Sequence, residues 1–265
     1  MLLSIFIYLC CGAVVGILAG LLGVGGGTVI VPILVAIFPG QGVPPQYVQQ
    51  MALGTSLASI MFTSVSSARS HHLRGAVIWK IVREITPGIL LGTFFGGIIA
   101  AHLPVLFLKI FFVCFLFLIS AQMISNYRPK ASRNMPGMFG TASAGGVIGL
   151  ISSFVGIGGG SLSVPFMTFC NVEIHKAVGT SAAIGFPIAV AGALGYVVGG
   201  WGKPDLPSAC LGFVNLWALF GIAAASCVTA PIGVKLSHSL PTKKLKTFFA
   251  IFLILIGLKM LWDVL

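Results

Sequence analysis

The chain has 265 residues, of which 57% are hydrophobic and only 7% charged, with 4 acidic against 15 basic residues and a net charge of +11. A soluble globule, where about a quarter of the residues are charged, cannot be covered by so few. A soluble enzyme, a disulfide-stapled secreted domain and a disordered chain are therefore excluded, which leaves an integral membrane protein.

The apolar runs fall at 3–22, 27–38, 48–69, 84–101 and 105–125, then at 138–155, 160–170, 176–199, 209–236 and 242–263. They are long and apolar throughout, which predicts helical spans and not the alternating strands of a barrel. The first run lacks a positive n-region and continues into glycines without a cleavage site, so it reads as part of the mature protein. The runs at 27–38 and 160–170 are shorter than the ~20 residues a span needs. Each directly follows a glycine cluster, so each half opens with a helix, a glycine break and a half-length helix. Glycine, at 35 residues, stands at about twice its usual share, which implies close helix contacts, helix breaks, or both.

The glycine clusters belong to a duplication. Residues 16–34 read GILAGLLGVGGGTVIVPIL and residues 149–167 read GLISSFVGIGGGSLSVPFM, in register at an offset of 133. A second block pairs Ala52, Gly54, Thr55 and Ser56 with Ala177, Gly179, Thr180 and Ser181; a third pairs Pro104 and Lys109 with Pro241 and Lys246. Three ordered blocks predict two transmembrane repeats, 1–130 and 131–265, within one membrane domain. The expected fold is all-α, a polytopic helical membrane protein.

The basic residues decide between parallel and inverted repeats. If each glycine break is a hairpin, the repeats are inverted, and Arg69, Arg74, Lys80, Arg83, Arg128, Lys130, Arg133, Lys176, Lys235, Lys243, Lys244 and Lys246 share one side. That is 12 of 15, leaving only Lys109, Lys203 and Lys259 opposite. If the break is a kink in one straight span, the best split is 9 against 6. The positive-inside rule favours two inverted repeats, each opening with a glycine-broken helical hairpin. The same clustering between apolar runs argues against a nucleic-acid partner.

A run such as Gly23-Val24-Gly25-Gly26-Gly27 is a poor helix, since each glycine costs ~1 kcal/mol relative to alanine. Backbone freed at membrane depth must face protein or a wet cavity. The helix that follows starts at Thr28 or Ser161 with unpaired amides, and a helix N-terminus favours an anion. Paired broken helices in two halves point to a transporter's substrate site. The candidate substrate shell is Gly25, Gly26, Gly27 and Thr28 with Gly158, Gly159, Gly160 and Ser161, completed by the hydroxyls of Thr55, Ser56, Thr180 and Ser181. The plainer reading is tight packing for the glycines and bonds to their own helix for the hydroxyls. Gly92 with Gly96 reads as packing, and Pro32 and Pro165 as helix shape.

Other residues carry plainer readings. The six cysteines show no metal spacing. The five histidines are scattered toward loops, so no enzyme constellation emerges and no cofactor is expected. His71, His72 and Arg74 read as a solvated, orientation-setting cluster. Phe111-Phe112 and Phe248-Phe249 read as lipid-facing, and Trp79, Trp201, Trp217 and Trp262 as interfacial anchors. Glu84, Glu173, Asp205 and Asp263 all read as lying at segment ends, so no buried carboxylate is expected to relay protons.

The duplicated G-hydrophobic-GGG-[ST] motif with its downstream V-P, together with the G-T-S blocks, resembles the TauE/SafE or sulfite exporter family over nearly the whole chain. The resemblance implies a secondary transporter of a small anion, with sulfite, thiosulfate and organosulfonates as typical substrates, in the bacterial inner membrane. Alternating access and export are expected. An anion channel or an uptake permease for a sulfur-containing anion stays open, as does a homodimer in the lipid bilayer. Ser153 replaces Gly20 in the second half, so the two halves of the site differ.

Overall fold

The structure is a computed structural model, and it describes residues 2–22, 26–125, 134–207, 209–237 and 242–262. The first set of elements is α1 (Leu2–Leu22), the half-length α2 (Gly27–Ile37) with a 3-10 turn at Phe38–Gln41, α3 (Val48–His72), α4 (Trp79–His102) and α5 (Val105–Ser125). The second set is α6 (Met138–Val155), the half-length α7 (Gly160–Phe169), α8 (Ile174–Gly199), α9 (Leu216–Ser237) and α10 (Thr242–Trp262). At about 1.5 Å per residue, the 11 residues of α2 and the 10 of α7 reach only half the ~30 Å hydrocarbon core. Among the described residues, α3, α4, α5, α6, α8 and α9 are long and apolar enough to cross a membrane. The chain is an all-α, multi-pass membrane protein.

Two boundaries differ from expectation. α4 begins at Trp79, because Lys80, Arg83 and Glu84 occupy its first turns instead of a loop. Glu84 is thus inside a helix and half-buried, not at a segment end. α9 begins at Leu216, not at 209. Cys210–Leu211 and Val214–Asn215 form a short antiparallel hairpin in register Cys210↔Asn215. Asn215 then starts the helix, its Oδ1 accepting the Ala218 N–H at 3.0 Å as an N-cap.

α3 and α8 form the centre. Their most apolar windows are 72% and 67% buried, against 39–44% for the other four. α3 is also the least apolar of the six. In lipid the polar helix goes inside, the reverse of a soluble protein. Around this pair, α1 packs along α9 and α4 along α6, while α5 meets α10. Each of the first two contacts joins a helix before residue 126 to one after residue 133. Small residues permit these approaches. Gly12, Gly16 and Gly20 lie against Ile222, Ser226 and Ala230 of α9. Gly88, Gly92 and Gly96 lie against Ala142, Gly146 and Ser153 of α6, as the Gly92–Gly96 spacing suggested.

Three aromatic and histidine readings are corrected. Phe112 and Phe249 are buried, and Phe111 packs edge-on against Phe154 at 5.5 Å, so these three rings join helices and do not face lipid, while the Phe248 side chain lies outside the described residues. His71 is buried at the end of α3, whereas His72 is exposed and accepts the Trp79 indole N–H at 3.1 Å. The four tryptophans are exposed and lie at or beside helix ends, where interfacial anchors belong.

Candidate functional site

Glycine turns launch both half-helices. The N-cap residues Gly26 and Gly159 have φ of 75° and 74°, the left-handed region that side chains rarely adopt. Neither helix has a side-chain cap, although Ser, Thr, Asn or Asp is usual there. The amides of Val29 and Ile30 return to the Gly26 carbonyl, and those of Leu162 and Ser163 to Gly159. The two amides before them in each helix have no carbonyl within their own helix. Thr28 and Ser161 occupy these first turns. They are 0% and 8% exposed, and neither hydroxyl oxygen has a hydrogen-bond partner among the described residues.

The structure brings the two turns together. A Cβ on Gly27 would collide with the Gly156 carbonyl and come within 2.9 Å of Ile157 Cα. A Cβ on Gly156 would meet Leu53 of α3 and Val31 of α2 at 2.9 and 3.0 Å. Gly26, Gly27, Gly158, Gly159 and Gly160 are all buried. Gly25 lies outside the described residues.

The G-T-S hydroxyls are placed differently from Thr28 and Ser161. Thr55 Oγ1 accepts the Asn215 N–H at 2.9 Å, and Thr180 Oγ1 accepts the Ile78 N–H at 3.0 Å. Each threonine thus holds the residue that starts a helix of the other half, α9 or α4. Ser56 donates to the Gly156 carbonyl at 2.7 Å and fixes the second glycine turn. Ser181 accepts from Ser163 of α7 at 3.0 Å. These four residues frame the junction through bonds between helices.

Sequence reasoning missed Thr63, Ser64 and Ser67 of α3. They line a small cavity with Ser181 and Gly185 of α8, Gly158 of the turn and Ala19 of α1. Its room is about one water-sized sphere. Ser67 is 3% exposed and its hydroxyl has no partner among the described residues, while Thr63 is hydrogen-bonded to Ser226 of α9 at 2.7 Å. The signal was a hydroxyl every three or four residues along α3, at Ser56, Ser59, Thr63 and Ser67, which makes one polar face. The corresponding positions of α8 after Ser181 are Ile184, Ile188 and Gly192, so the polar lining is one-sided.

Comparisons with known proteins identify the family. The profile described as sulfite exporter TauE/SafE matches residues 8–260. The chain belongs to this family. A Haemophilus influenzae protein named "Probable membrane transporter protein" is 38% identical over 258 residues, covering 96% of this chain and 98% of that one. A Bacillus subtilis relative, "Probable membrane transporter protein YdhB", is 29% identical, covering 90% and 91%. A Methanocaldococcus jannaschii relative with the same kind of name is 27% identical, covering 94% and 92%. No solved structure matches the chain significantly.

Proposed function

We propose that this family member is a secondary transporter that moves a small sulfur-containing anion, such as sulfite, thiosulfate or an organosulfonate, across the bacterial inner membrane. The carrying observation is the pair of buried, partnerless hydroxyls, Thr28 and Ser161, at two uncapped helix starts that meet in the core. A buried hydroxyl without a partner costs about 1–3 kcal/mol, and an anion seated between the helix starts satisfies both hydroxyls together with the free amides. Gly25 to Gly27 and Gly158 to Gly160 supply backbone donors. Thr55, Ser56, Thr180 and Ser181 position the turns.

The repeats, 1–130 and 131–265, are inverted and rock against one another. The cavity is too small for an oxyanion as it stands, so this conformation is a closed one that opens when α3 and α8 separate. Movement of an anion out of a negative interior is downhill by about 2.3 kcal/mol per charge per 100 mV, which favours export without a coupling ion. The family description and the relatives' names support the transport reading.

Flux of labelled sulfite from proteoliposomes tests it. A saturable rate that disappears in Gly26→Leu and Gly159→Leu, with insertion intact, is expected. Unchanged flux in both variants defeats the site. A rate that never saturates indicates a channel.

A further inference from the structure

Away from the glycine junction, α3, α8 and α9 leave a cavity of about 610 Å³ beside the basic end of α3. That volume lies in the range of small-ligand sites. Phe62 and Val65 of α3, Phe186 of α8 and Pro231 of α9 wall it, and Arg69 and Ser70 line it in the last turns of α3. Phe62, Val65 and Phe186 are exposed large hydrophobics on membrane-spanning helices, so the groove opens toward lipid. No carboxylate among the described residues lies within ion-pair distance of Arg69. Arg74 stands one turn further on, with its guanidinium 3.5 Å from the Ser70 carbonyl, and Lys80 and Arg83 open α4 at the same end.

We propose that this groove binds an anionic glycerophospholipid, with an acyl chain between Phe62, Val65 and Phe186 and the phosphate on Arg69 and Ser70. Charge selects the occupant. A zwitterionic headgroup brings its own cation toward a patch that is already cationic, whereas an anionic one neutralises it. The apolar walls select a chain-bearing ligand over a free anion, because a small oxyanion leaves them unfilled. The consequence is structural. α3 is tied to α9 by the Thr63–Ser226 pair on its inner face and, along the groove, by Ser66 donating to the Cys227 carbonyl at 2.9 Å. A lipid wedged over this seam braces the helix that carries the cavity hydroxyls.

The test needs no transport measurement, so it stands apart from the proposed function. The purified protein in neutral detergent is melted with added phosphatidylglycerol, phosphatidylcholine or inorganic phosphate. Phosphatidylglycerol is expected to raise Tm by roughly 2–4 °C and the other two to leave it unchanged. Native mass spectrometry of the lipid adduct should show binding about fivefold weaker in Arg69→Gln and unchanged in Lys203→Gln, which lies beyond the far end of α8. Cys227→Phe, which fills the groove without altering charge, should remove the adduct, and it carries the test alone if Arg69→Gln does not survive purification. Equal effects of the two lipids, an adduct undiminished in Arg69→Gln or retained in Cys227→Phe, or a Tm rise reproduced by phosphate alone overturns the proposal.

Discussion

Replacing Thr28 by valine separates a hydroxyl that serves a ligand from one that serves the fold. The side chains have nearly the same shape, and the oxygen removed is fully buried and partnerless. Folding therefore loses no hydrogen bond and sheds a desolvation cost of about 1–3 kcal/mol. Tm should hold or rise, by about 2–4 °C for each kcal/mol gained. Anion binding should weaken, since a hydrogen bond to a charged group is worth about 1.5–3 kcal/mol. At 1.4 kcal/mol per decade this is roughly a 10- to 150-fold loss of affinity. Thr55→Val makes the same chemical change where Oγ1 accepts the Asn215 N–H at 2.9 Å. It strands a buried amide, so Tm should fall by the equivalent of about 1–3 kcal/mol. The assay is thermal melting of both variants with and without sulfite, paired with flux in proteoliposomes. If Thr28→Val melts as low as Thr55→Val and keeps its sulfite-induced shift, the reasoning is refuted.

Gly159→Ala places a side chain at φ 74° with its Cβ against Ile188. It should cost at least about 1–2 kcal/mol and slow flux sharply while insertion persists, as read by melting and liposome flux; wild-type flux counts against the turn's role. Burial pushes the Cys210 thiol, in the hairpin outside the spans, up to about 11 despite its hydrogen bond with Asn215. The reactive thiolate is therefore scarce at pH 7, and maleimide labelling of Cys210 should rise about tenfold per pH unit up to that value. Labelling measured by peptide mass spectrometry that is flat from pH 7 to 10 contradicts it. The inverted arrangement predicts a C-terminus on the face opposite Arg69 and Arg74, so a C-terminal phosphatase fusion should be active outside the cytoplasm, and an inactive fusion with a fluorescent cytoplasmic counterpart excludes that topology.

Much of the fold was legible in the residues. Apolar length sets most helix ends, because lipid leaves backbone polar groups no partner outside a helix. Glycine clusters set the breaks, and α2 and α7 begin at residues 27 and 160, as expected. The boundaries that moved depend on something other than apolarity. Lys80 and Arg83 lie exposed in the first turns of α4, and an Asn215 cap with the short Cys210–Asn215 hairpin shortens α9.

The chain's composition and its paired motifs by themselves determined an all-α membrane protein with two glycine breaks, each before a half-length helix, and candidate hydroxyls near each break. Only the tertiary structure decided what those hydroxyls do. Thr28, Ser161, Thr55 and Thr180 are alike in sequence, all hydroxyls beside a duplicated glycine motif. The first two are left without partners among the described residues, while the last two hold Asn215 and Ile78. Whether a buried oxygen is satisfied depends on which helix of the other half lies within about 3 Å. That distance is set by crossings such as α3 on α9 and α4 on α8, between segments far apart in the chain. The same crossings turned the hydroxyl stripe of α3 into the lining of a cavity, which spacing along one helix could suggest but not place.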